Sequence, residues 1–155
     1  MSKYYIAYGS NLSVEQMKTR TPDAKIIGTG MLKGWRLLFR QFATIIEERD
    51  FETPVLVWEI SEQDEEKLDK YEGFPKMYEK RDLTLPVTAL NGENLGELTG
   101  MAYTMTPKAM FARSRDPIPF YDYLALIYYN YKLLGFDKKI IEVALAEVED
   151  FALVL

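Results

Sequence analysis

Residues 24–60, AKIIGTGMLKGWRLLFRQFATIIEERDFETPVLVWEI, decide the fold. They break into short runs rich in β-branched and aromatic residues, AKIIGTGML, WRLLFR, ATIIEE and PVLVWEI, which is the pattern of strands and not of helices. Gly28, Gly30 and Gly34 stand among these runs, where a missing side chain marks a bend or bulge. Consecutive strands of this kind make the body of a sheet or barrel.

Working outward, KYYIAY (Lys3 to Tyr8) reads as a further strand, and it ends in the turn residues Gly9, Ser10 and Asn11. Ser13 with Gln16 forms a capping-box pattern before a short helix that Pro22 stops. On the other side of the strand block, SEQDEEKLDKY starts with a Ser61 and Asp64 cap, so a helix is predicted from about Glu62 to Tyr71, with Gly73 as its left-handed C-cap. Tyr78 to Leu90 and Leu95 to Met105 flank the turn signal Asn91-Gly92, and Pro86 assigns its strand to an edge or a bulge. Beyond Pro107, Phe120, Leu124, Ile127, Tyr131 and Leu134 recur at helical spacing up to Gly135, and Asp137 caps a last helix to about Glu149. The order predicts an α+β chain in which strands come first and helices last, with residues 1–155 forming one domain.

With 48% hydrophobic, 14% aromatic and 28% charged residues, the chain can bury a packed core. Nineteen Lys and Arg against 24 Asp and Glu give a net charge of -5, which argues against nucleic acid and anionic membrane surfaces as partners. No apolar run reaches the roughly 18 residues needed to cross a bilayer. The N-terminus enters its strand with no targeting pattern, so a cytoplasmic location is expected. Cysteine and histidine are absent. That excludes disulfides, zinc-thiolate sites, cysteine nucleophiles and Ser-His-Asp triads, and leaves carboxylates, Lys, Arg, Tyr, Ser, Thr, backbone amides or a hard metal ion for any catalysis.

Three places carry chemistry. The turn Tyr8-Gly9-Ser10-Asn11-Leu12 lies between a strand end and a helix start, where exposed N–H groups and the helix dipole can hold a carboxylate or an oxyanion. A plain strand-to-helix turn accounts for the same spacing. Glu72 follows Tyr71 at the C-terminal end of a helix, where the dipole disfavours negative charge, and Tyr71, Phe74 and Tyr78 can shield it from water. Both effects raise its pKa towards neutrality, as a group that both takes and returns a proton requires. The alternative is one more solvated acid. Pro117-Ile118-Pro119 precedes Tyr121 and Tyr123, either of which can orient a ligand, although packing explains most tyrosines of this helix.

Three of these segments, YYIAYGSNL (Tyr4 to Leu12), LDKYEGFPKMY (Leu68 to Tyr78) and PFYDYLALIYYNYKLLGF (Pro119 to Phe136), resemble in order the signature regions of gamma-glutamylcyclotransferase-like proteins. The ATI and VWEI segments fit as well. The resemblance implies a small mixed β-barrel with flanking helices and a cofactor-independent, metal-free enzyme in which Glu72 is the acid/base. It implies that Tyr8, Gly9, Ser10, Asn11 and Leu12 bind the glutamyl part of the substrate and that Tyr78 lines the pocket. It also implies that Tyr123, twelve residues before Gly135, faces the substrate in place of Tyr121. Asn130, where many relatives have glycine, and Val55, where a glycine often precedes the strand, are departures that bear on pocket shape.

The chemistry implied is intramolecular. The α-amine of a γ-glutamyl compound attacks its own γ-carbonyl, closing 5-oxoproline and expelling an amine or amino acid, so proximity replaces an enzyme nucleophile. The alternatives are a different leaving group on the same fold, a non-catalytic binding module for an acidic metabolite, and an acyl transferase built on Ser10. The expected partner is a small γ-glutamyl molecule, and the oligomeric state, a homodimer included, is left open by the sequence.

Overall fold

The computed structural model describes residues 2–112 and 116–153. Strand β1 (Ser2–Ala7) leads through a 3₁₀ turn (Ser10–Leu12) into helix α1 (Val14–Arg20). Strands β2 (Lys25–Arg40) and β3 (Phe42–Ser61) follow, then α2 (Glu62–Glu72), β4 (Tyr78–Thr88), β5 (Asn94–Met105), α3 (Pro107–Met110), α4 (Tyr121–Leu134) and α5 (Lys139–Leu153). The five strands close a barrel in the order β1-β3-β2-β4-β5. Most pairs are antiparallel, and a single parallel pair, Tyr5 with Met101, joins β5 to β1, so the sheet is mixed as expected. No helix among the described residues is long and apolar enough to cross a membrane.

The four strand segments expected between residues 24 and 60 are the halves of two long strands, each bent once. Pairing runs without interruption from Trp35↔Glu47 to Arg40↔Phe42, and again from Lys33↔Glu52 to Gly28↔Val57. Between these stretches, Gly34 at φ +83° faces an excursion that contains Asp50 at φ +74°. A second register shift falls between Ile26 and Gly28. A Cβ on Gly28 would lie 2.2 Å from the Thr88 carbonyl oxygen, so any side chain there would block the short β2–β4 seam. Gly30 lies in regular register with Val55, so it is no bulge.

The local signals produce their elements. Ser61 and Asp64 form a reciprocal capping box at the start of α2, each accepting a backbone N–H at 3.1 Å, and Gly73 ends the helix in the left-handed conformation. The Ser13 hydroxyl accepts from the Gln16 N–H at the start of α1. Pro86 lies beside the register shift in the β4–β5 hairpin. Short α3, capped by Thr106, has no counterpart in the sequence reading. Inside, residues such as Ile6, Phe39, Leu56 and Leu85 fill the barrel, and Ile127, Tyr131, Ile141 and Ala144 of α4 and α5 extend the same apolar cluster. Arg40, buried, holds Glu147 of α5 through two hydrogen bonds of 2.7 and 2.8 Å.

Candidate active site

One end of the barrel gathers the end of β1, the C-terminus of α2, the start of β4, the β2–β3 turn and the start of α4. They enclose a cavity of about 250 Å³ lined by Tyr8, Gly9, Ser10, Asn11, Glu72, Tyr78 and Tyr123 together with Tyr5, Phe42, Ala43, Tyr71, Met77 and Tyr103. Of the eight site residues named from sequence, Leu12 alone is not brought to it. Its side chain is buried in the apolar core, and its N–H donates to the Gly9 carbonyl at 3.1 Å.

The turn after β1 is shaped by that bond and by a second one, from the Ser13 N–H to the Ser10 carbonyl. Its first N–H groups, those of Gly9, Ser10 and Asn11, have no acceptor among the described residues, as the opening of a helical turn dictates. Gly9 leaves room for them: a Cβ there would come within 3.2 Å of the Ala43 Cβ and 3.4 Å of the Tyr123 hydroxyl.

Glu72 is the last residue of α2, so the helix carbonyl ends lie beside it. Loss of water around its carboxyl pushes the pKa up to about 7, against a smaller opposing pull from Arg20. The carboxylate makes no ion pair among the described residues. The whole residue keeps some exposure, and it is the carboxyl group that the cavity wall crowds. Tyr71 and Tyr78 share the cavity with it as expected. Phe74 does not. It is 38% exposed and its ring carries the Lys80 ammonium at 4.3 Å, so the shielding expected from it comes instead from Tyr5, Tyr8, Tyr103 and Tyr123 of the barrel mouth.

The tyrosines divide by what their hydroxyls do. Tyr8 donates to the Tyr103 carbonyl at 2.5 Å, Tyr78 to the Ala43 carbonyl at 2.6 Å and Tyr103 to Asp69 at 2.5 Å. The Tyr123 hydroxyl accepts from the Ala43 N–H at 2.9 Å, and its ring meets Phe42 edge-on at 5.4 Å. Burial pushes the phenols of Tyr5, Tyr8, Tyr103 and Tyr123 upward, so all four stay protonated at neutral pH. Tyr121 does not line the cavity and is 83% exposed.

Arg20 was not singled out in the sequence. From the end of α1 its guanidinium donates to the Asn11 side-chain oxygen at 2.8 Å and stacks on the Tyr71 ring at 3.1 Å. Burial lowers its pKa, with Glu72 opposing, to about 10, so it remains a cation. Asn130 and Val55, the two departures, are buried away from the cavity. Asn130 donates to the Leu126 carbonyl within α4, and Val55 pairs with Gly30.

A family described as gamma-glutamyl cyclotransferase, AIG2-like matches residues 5–125. The chain is 31% identical over 115 residues to gamma-glutamylcyclotransferase from Bos taurus, a match that covers 66% of this chain and 58% of that protein. It is similar to a solved gamma-glutamyl cyclotransferase, with a TM-score of 0.73 and 25% identity over 97% of this chain and 98% of that one. A human protein described as uncharacterized gives a TM-score of 0.72 at 25% identity, with 97% of each chain covered.

Proposed function

The chain belongs to the gamma-glutamyl cyclotransferase, AIG2-like family, and from that premise we propose that it cyclises a γ-glutamyl compound to 5-oxoproline with Glu72 as acid and base. The observation that carries this reading is a single carboxyl of pKa about 7 in a cavity shared with three backbone N–H groups that have no acceptor among the described residues. At neutral pH such a carboxyl is about half ionised, so it is able to accept a proton and to give one back.

Glu72 takes a proton from the substrate's α-ammonium, and the freed amine attacks the γ-carbonyl carbon. A C–N bond forms, the ring closes and negative charge gathers on the carbonyl oxygen. The N–H groups of Gly9, Ser10 and Asn11 suit that oxygen or the α-carboxylate. Collapse breaks the original amide bond as Glu72 gives its proton to the departing amine; the regenerated carboxylate then takes the second proton from the ring nitrogen and passes it to that amine, which leaves as an ammonium. Tyr8 and Tyr78, whose protons are spent on backbone carbonyls, act as walls, and Tyr123, which accepts from Ala43, keeps a proton to offer the ligand. At about 250 Å³ the cavity falls below the roughly 300–1,000 Å³ of most ligand pockets. It therefore suits a glutamyl group whose leaving amine extends outward.

The test is incubation with a panel of γ-glutamyl dipeptides and γ-glutamylamines, with 5-oxoproline and the released amine read directly. Release from at least one member, abolished by Glu72→Gln, is expected. Ligand-dependent thermal stabilisation without any 5-oxoproline would refute catalysis and make the cavity a binding site.

A further inference from the structure

Hydrogen-bond polarity propagates from Arg20 to a phenol in the cavity. A guanidinium has only donors, so the atom facing it must accept. The Asn11 side-chain oxygen does so at 2.8 Å, which fixes the turn of that amide and leaves its nitrogen to donate. The nitrogen lies 2.9 Å from the Tyr5 hydroxyl oxygen, so this phenol is an acceptor towards Asn11. A phenol has one proton, and Tyr5 must send it elsewhere. The side chain is 4% exposed, lines the cavity and has no acceptor for that proton among the described residues. Tyr8, Tyr78 and Tyr103, by contrast, each spend theirs on the protein. Arg20 is itself held in place, stacked on Tyr71 and facing Gln16. With its amide oxygen towards Arg20, Gln16 donates to the Ser10 carbonyl at 2.8 Å.

We propose that Arg20, acting through the Asn11 amide, holds the Tyr5 hydroxyl as a hydrogen-bond donor to an oxygen of the bound γ-glutamyl group. Tyr5 then contacts substrate and Arg20 is a positioning residue. The proposal rests on the γ-glutamyl reading above, and it adds two residues to which the resemblance assigns no role, Tyr5 within the first signature segment and Arg20 outside all three. It also gives Asn11 a second task, since the amide transmits orientation as well as lining the cavity.

Tyr5→Phe removes the proton and little else. Asn11→Asp keeps the size but turns the donor into an acceptor, so the Tyr5 proton is drawn onto the new carboxylate and away from the ligand. Tyr5→Phe is expected to lower kcat/KM for the best γ-glutamyl substrate by about tenfold to a hundredfold, the range for hydrogen bonds to charged or developing-charge groups. In the Asn11→Asp background the same change should cost nothing further, because the proton is already lost to the ligand. A loss in kcat places the contact at the carbonyl oxygen, and a rise in KM places it at the carboxylate. Arg20→Met, which releases the amide to turn, should give part of the same loss and serves if Asn11→Asp does not fold.

Binding of 5-oxoproline to each variant, measured by calorimetry, separates this proposal from the function it rests on. Turnover by the wild type with Tyr5→Phe within twofold of it, or losses that multiply in the double variant, would overturn the Tyr5 contact and leave cyclisation standing. Binding weakened by Tyr5→Phe and Asn11→Asp in a protein that turns over no panel member would support the contact and overturn cyclisation. A wild type that neither reacts nor binds overturns both.

Discussion

Replacing Glu72 by glutamine should make the protein more stable and less active at the same time. In an unfolded chain the carboxyl titrates near its ordinary 4.5, and in the fold, chiefly through loss of water, at about 7. Between these values the folded chain keeps a proton that the unfolded chain releases, so stability declines as pH rises through the window. The cost is absent below about 4.5 and complete above about 7. At about 1.36 kcal/mol per pH unit, this rise sets a ceiling on the order of 3 kcal/mol. The true gain is smaller, because the glutamine amide must itself leave water. For a chain of this size, that ceiling corresponds to a Tm increase of roughly 6–12 °C. Thermal and urea unfolding of wild type and Glu72→Gln at about pH 8.5 and about pH 4.5 read the difference. The gain is expected at the higher pH and should vanish at the lower. Loss of an acid/base group should reduce kcat by about 10²–10⁴ in the same preparation. A gain equal at both pH values would refute the pKa assignment, and a stabilised mutant with most of its turnover would refute the catalytic one.

Other perturbations separate the remaining parts of the site. The rising limb of kcat/KM against pH should lie near the Glu72 value of about 7, and Arg20→Met should move it upward, since Arg20 is the charge that pulls that value down; an unmoved limb counts against the pairing. Tyr123→Phe should cost about tenfold in kcat/KM, the loss of one donor, while Tyr121→Phe at the exposed neighbouring position should stay within twofold in steady-state kinetics. Ser61→Ala removes half of the capping box that starts α2 and should lower the unfolding free energy by about 1 kcal/mol in urea titration.

What could be read in the sequence follows from the range of the interactions involved. The capping box of Ser61 and Asp64, the left-handed Gly73 and the awkward placement of Glu72 at a helix end all involve residues within a turn or two of one another. Each was visible before any coordinates. The division of β2 and β3 was half legible: Gly28 and Gly34 announced the irregularities, but continuous pairing across them is a property of two strands and not of one. Phe74 shows the converse, since an aromatic after the helix cap looks like a shield, and nothing local says that its ring turns out to meet Lys80.

The residues that tune Glu72 lay furthest from legibility. Arg20 is one of 19 basic residues, and no feature of α1 sets it apart until β1 is inserted between β3 and β5. That insertion pairs Tyr5 with Trp58 on one side and Met101 on the other. It carries the turn after β1 to the C-terminus of α2, where Asn11, Arg20, Tyr71 and Glu72 first become neighbours. Glu72 announces itself locally by its place at a helix end, although the loss of water that raises its pKa comes mainly from the barrel mouth. Residues that hold a hydrogen bond's direction have no such signature, because orientation leaves no mark on composition or helix position even where, as for Tyr5, Asn11 and Arg20, the partners are close in sequence. Within a single sequence, the tractable trace is the pairing of a lone arginine at a helix end with an Asx residue in the turn before that helix. Here Arg20 and Asn11 meet that description.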